Sequence, residues 1–142
     1  MSSRLTAHYR QQHAELSAII QHIDTLLNAP EARTAAARVR ADVEALAHKL
    51  NAHLTRQEEG VYTRLLYHTD TQVRDTARHM RREMGAVRKD FDRFVAAWAS
   101  VPLMTVRFPT FAAEARTVTG RLSAHLNREE ETLPPLAEKA GL

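Results

Sequence analysis

Apolar residues recur at steps of three and four along nearly the whole chain, with polar residues between them, which is the pattern of amphipathic helices. The first such segment runs from about Ser3 to Leu27 and carries Leu5, Tyr9, Leu16, Ile20, Ile23 and Leu27. Asn28, Ala29 and Pro30 break it. The second runs from about Glu31 to Tyr67, with Val39, Val43, Leu46, Leu50, Val61 and Leu65 on one side and Gly60 as a weak point that predicts a bend or partial break. His68 to Thr71 supply a turn and a helix-capping signal. The third segment carries Val73, Met80, Met84, Val87, Phe91, Phe94 and Trp98 and ends at Ser100, Val101 and Pro102, after which the stretch to Pro109 reads as a linker. The fourth carries Phe111, Ala115, Val118, Leu122, Leu133 and Leu136, with Gly120 as an interior cost and Pro134 and Pro135 expected to close its regular part. Four amphipathic helices with short connections predict an all-α domain spanning residues 1–142, an antiparallel up-down-up-down four-helix bundle.

The stripes are interrupted by the wrong kind of residue. His13 falls in the series Leu5, Tyr9, Leu16, Ile20, and His53 with Gln57 continues Val43, Leu46, Leu50. Glu83 lies between Met80 and Val87 with His79 one turn before it, and His125 and Glu129 continue Val118, Leu122 toward Leu133. Two of these interruptions are copies: the seven residues beginning at His53 (HLTRQEE) return, with two changes, at His125 (HLNREEE). Buried polar groups need partners, and a buried carboxylate needs a proton, a positive charge or a metal.

Reflection across the turns tests whether these groups meet. A turn centred near His68 sets His53 level with Glu83, and one near Met104 sets Glu83 level with His125 and His79 level with Glu129. A turn near Ala32 sets His13 roughly level with His53. All four helices therefore bring imidazole or carboxylate to one slab of the bundle, a donor set suited to a non-haem metal. Tyr9, one turn from His13, reads as ordinary core, with a role as oxygen ligand or hydrogen-bond donor as the alternative. His8, His22, His48 and His68 lie off this face or away from its level and read as solvated.

Composition narrows the chemistry. The chain has 142 residues and no cysteine, so disulfides and thiolate metal sites are excluded and any metal is held by nitrogen and oxygen. The formal charge is +3, and Arg74, Arg78, Arg81, Arg82, Arg88 and Lys89 make one segment basic. Without a nucleic-acid motif or interleaved exposed aromatics, that run reads as a solvated helix face. No apolar run of signal-peptide or membrane-spanning kind is present, and a cytoplasmic location is expected.

The ordered set His13, His53-x-x-x-Gln57, His79-x-x-x-Glu83, His125-x-x-x-Glu129 resembles the hemerythrin-like (HHE cation-binding) family over nearly the whole chain. The resemblance implies a four-helix bundle around an oxo- or hydroxo-bridged di-iron centre. It would give one iron to His13 and His53, the other to His79, Glu83 and His125, and a bridging role to Glu129. Two positions depart from the pattern. Gln57 stands where the family usually has a second bridging carboxylate, which puts the second iron in question, and Glu83 stands where the oxygen carriers have His. Glu58 follows Gln57 but lies about 140° round the helix from His53. The site is therefore open between a modified di-iron centre, a mononuclear centre and one with altered metal choice.

The function expected on this reading is a non-haem iron protein that binds or senses O2, NO or peroxide, or handles iron under oxidative or nitrosative stress. The alternatives are an iron-dependent enzyme that decomposes peroxide or oxidises a substrate, and a metal-free helical interaction module using the basic third helix.

Overall fold

The computed structural model describes residues 2–142, with the side chains of residues 2–6, 32, 33 and 57–59 excepted. The expected core position Leu5 and the site positions Gln57 and Glu58 thus have side chains outside the described residues. Six α-helices follow in order: α1 (Ser2–Asn28), α2 (Ala36–Glu59), α3 (Val61–Leu66), α4 (Thr71–Ala97), α5 (Val101–Val106) and α6 (Phe108–Lys139), with a 3-10 turn, Ala32–Ala35, before α2. No strand occurs among the described residues.

The long helices form a ring in which α1 packs against α2 and α6, α6 against α4, and α4 against α3. Since α3 carries on from α2, the two together make the second leg of an antiparallel up-down-up-down four-helix bundle. The join between them is Gly60, at φ −109° and ψ −100°, whose N–H still bonds to the carbonyl of Arg56. A Cβ there would lie 3.0 Å from that carbonyl oxygen, so glycine allows the tight junction. Asp70 caps α4, accepting from the N–H of Gln72 and Val73. The Val73 N–H, against a smaller desolvation and helped by the Gln72 N–H and by Lys139 and His68 nearby, lowers its pKa.

Two stretches depart from the sequence reading, both through proline. The expected linker to Pro109 contains helix α5, because Ser100 caps it by accepting from Leu103 N–H while Pro102 fits the first turn, where a missing N–H costs nothing. Met104 in that helix is buried. Pro134 and Pro135 do not close α6, which continues to Lys139. Leu133, Pro134, Leu136 and Ala137 are all buried on this last stretch, and that packing holds the helix where two backbone donors are lost.

Buried apolar residues fall into two clusters. The larger unites Leu16, Ile23, Leu46, Leu50, Met84, Phe91, Phe111, Leu122 and their neighbours; the smaller unites Tyr9, Val61, Tyr62, Leu65, Val73, Ala77, Met80, Leu133 and Leu136. Along α1 and α6 the change from one cluster to the other falls on a polar residue, His13 between Tyr9 and Leu16 and Glu129 between Leu126 and Leu133, and along α2–α3 it comes after His53 and Leu54, ahead of Val61.

Candidate metal centre

Four polar side chains in this layer are almost wholly buried: His13, His53, His125 and Glu129, the last two with no exposure at all. Each keeps the three-or-four phase of its own apolar stripe, and this drives it inward although it is polar. The Glu129 carboxylate is the hub. Its Oε1 lies 3.4 Å from Nε2 of His13 and 3.9 Å from Nε2 of His53, and its Oε2 lies 3.5 Å from Nε2 of His125. Ligand atoms of His13, His53 and Glu129 all come within 4.8 Å of one another. The rings of His13 and His53 meet edge to face at 5.1 Å, and Tyr9 packs edge-on against both.

Partners outside the hub settle how two of the rings are presented. Nδ1 of His53 lies 2.5 Å from Oε1 of Gln12, an acceptor, so Nδ1 is the donor. Nδ1 of His125 lies 3.0 Å from Oε1 of Glu83. In both rings the opposite nitrogen, Nε2, faces Glu129.

The electrostatics follow from this crowding. Burial pushes the Glu129 carboxyl up, but the imidazoles of His125, His13 and His53 facing it outweigh this and hold the group well below the usual carboxylate range. Burial likewise disfavours charge on His125, yet Glu129 and then Glu83 override this and raise its pKa above 6.5. For Glu83, partial burial is outweighed by hydrogen bonds from His125 and Arg128, and its pKa is lowered.

The donor set fits a cation. Both ring nitrogens of His13 and Nε2 of His125 are buried with no hydrogen-bond partner, and all three imidazoles gather on one carboxylate. Burying that many polar atoms without partners is costly, and neutral imidazole with carboxylate is a common non-haem ligand set. The sequence matches the family model of the hemerythrin HHE cation-binding domain over residues 4–137. The chain belongs to the hemerythrin HHE cation-binding domain family. Comparison with curated proteins and with solved structures gave no match. The all-helical bundle and the histidine–glutamate cluster are those of a cation-binding hemerythrin domain. Among the described residues no helix is long and apolar enough to cross a membrane.

Of the six residues singled out from sequence, the structure gathers His13, His53, His125 and Glu129. His79 departs from the expected set: its side chain is 74% exposed and reaches only Oε2 of Glu83, at 3.8 Å. The buried ladder of α4 runs Val73, Ala77, Met80, Met84, Val87, so His79 and Glu83 each stand one residue, about 100°, off the stripe. Glu83 is partly buried on that flank, where Arg128 Nε donates to its Oε1 at 2.6 Å and Arg128 Nη2 bonds to the same oxygen.

Tyr62, Gln12 and Arg128 complete the site without having been legible as its members. The Tyr62 hydroxyl donates to Oε2 of Glu129 at 2.7 Å from a buried position. Its phase follows from the break at Gly60, and the nearest signal was the run of Val61, Tyr62 and Leu65 after that glycine.

Proposed function

We propose that this hemerythrin-family domain binds iron in the polar layer, with His13, His53, His125 and Glu129 as the ligands, and uses it to bind or sense O2, NO or peroxide, or to handle iron under oxidative or nitrosative stress. The observation that carries the reading is the Glu129 carboxylate, fully buried and ringed by three imidazole nitrogens. Bound there, iron would supply an open coordination position and one-electron chemistry. The residues supply the rest. His13 and His53 converge on one oxygen of Glu129 and His125 on the other, so the carboxylate is set to serve two positions. Tyr62 bonds to one of its oxygens, and buried apolar side chains of the two clusters, Met80 in one and Met84 and Leu122 in the other, belong to the interior on either side of the layer.

A cleft of about 250 Å³ between α1 and α2, lined by Gln12, Glu15, Leu16, His48, Lys49, Ala52, His53 and Arg56, leads from the surface to His53. A diatomic molecule or peroxide fits such an approach. One observation favours the enzyme reading as a second possibility: a buried phenol, Tyr62, stands at the carboxylate with a proton to give.

The test is metal analysis and absorption spectroscopy of protein made in iron-replete cells, before and after NO and peroxide. Iron at one or two equivalents with a spectrum that responds to either ligand supports the proposal. Colourless protein that takes up no iron and gains no stability from it returns the domain to the metal-free interaction module.

A further inference from the structure

Glu83 occupies a place that a ligand would find awkward. Its Oε1 accepts from Nδ1 of His125 and from the guanidinium of Arg128, while its Oε2 is turned toward His79 at the surface. Glu129 faces the other nitrogen of the same imidazole, Nε2. The two nitrogens of the ring point to opposite sides, so Glu83 and Glu129 flank His125 rather than share a space beside it.

We propose that Glu83 is the positioning residue of His125: anchored by Arg128, it fixes the ring as the Nδ1–H tautomer and leaves Nε2 bare on the side of the inner polar layer, free to bind a cation there, and it takes no cation itself. This rests on the metal reading above for its purpose but not for its geometry. An ionised carboxylate only accepts, so Nδ1, hydrogen-bonded to Glu83 at 3.0 Å, carries the proton, whereas Nε2 stands 3.5 Å from Glu129 without a hydrogen bond. A neutral imidazole has one proton on its ring nitrogens, and the bare nitrogen is then the inward one. Arg128 keeps the carboxylate charged and in place with two bonds to Oε1. Outer partners of this kind typically change metal affinity ten- to a hundredfold without altering the number of ions bound.

Two measurements on the whole chain test it, using cobalt(II) as the probe. Nitrogen-15 NMR of the metal-free protein at alkaline pH, where the ring is neutral, should show His125 in the Nδ1–H form. Glu83→Gln, whose amide both donates and accepts, should leave a mixture, and Glu83→Asp should restore the preference in part. In cobalt titrations Glu83→Gln should keep the wild-type number of bound ions and the wild-type d–d spectrum while affinity falls about ten- to a hundredfold. A wild-type His125 in the Nε2–H form, or a Glu83→Gln protein that loses one bound ion, overturns the proposal. Wild type that holds the Nδ1–H form but binds neither cobalt nor iron supports the positioning role and defeats the metal reading instead.

Discussion

The hydroxyl of Tyr62 on α3 and Oε2 of Glu129 on α6 are joined by a buried hydrogen bond of 2.7 Å, between residues far apart in the chain. The bond gives the short helix after Gly60 a direct hold on the carboxylate around which His13, His53 and His125 gather. Replacing Tyr62 by Phe leaves the ring's packing and removes the donor to a buried charge. The expected cost is about 1–3 kcal/mol of stability in the metal-free protein, read from urea denaturation. An unchanged midpoint would mean that the hydroxyl contributes nothing to holding Glu129.

Removing two imidazoles on opposite sides of the hub is a harsher change. His53→Ala with His125→Ala takes one donor from each oxygen of Glu129, and iron binding should be abolished while the helical spectrum persists. Equilibrium dialysis with iron followed by metal analysis checks this. Full occupancy in the double variant would place the metal elsewhere.

The stability of the metal-free protein and the stabilisation added by a cation should depend on pH with opposite signs. In metal-free protein the raised pKa of His125 contributes stability that is complete below 6.5 and is lost as pH rises through the higher folded value. The depressed Glu129 contributes stability above its ordinary 4.5, which is lost as pH falls through its lower folded value. Metal-free protein should therefore melt highest at mildly acidic pH and lower on the alkaline side. The rise in Tm caused by an added cation should grow with pH over the same window, since the metal competes with protons for the ligands. Thermal scans at a series of pH values, with and without metal, test both slopes.

Gly60→Ala should destabilise the fold by about 1–3 kcal/mol, because the new methyl meets a backbone carbonyl oxygen at 3.0 Å with no flexible atom to yield. The same junction sets the phase of Tyr62, so cation affinity should fall with stability. Chemical denaturation and a cobalt titration on one preparation compare the two effects.

Gln57→Glu adds a carboxylate one turn from His53, at the position where the family resemblance expects a second bridge. The iron-to-protein ratio should rise toward two and the charge-transfer absorption should strengthen, while Gln57→Ala should change both far less. Wild type that already binds two irons tightly, with no response to Gln57→Glu, would point to a different second carboxylate.

Most of the bundle was legible because periodicity reports burial, and three helices of the polar layer kept strict phase. His13, His53, His125 and Glu129 share the stripes of their helices, so one pattern found both the core and the gathered polar groups. His79 and Glu83 stand one step off the α4 stripe, a difference of angle that a tolerant reading of periodicity absorbs. Tyr62 lay beyond a break that resets helical phase, and Gln12 and Arg128 act from the flanks, where sequence offers no contrast with ordinary surface. Proline was read as a stop in both places, whereas Pro102 opens a helix behind the Ser100 cap and Pro134 with Pro135 lies within one held by burial.

The division of the apolar interior by a polar layer also gives the molecule two ends of unequal independence. The end built on Phe91, Phe94, Phe111 and Trp98 closes on itself with tilted, stacked and edge-to-face rings. The end built on Tyr9, Tyr62, Leu65, Val73 and Leu133 is smaller and meets the rest across histidines and a carboxylate. The Tyr62–Glu129 bond is a polar tie across this layer between α3 and α6. A proton or cation gained at Glu129 should therefore be felt first at the smaller end, as a change in amide-exchange protection of α3 and the last turns of α6 rather than of the aromatic end.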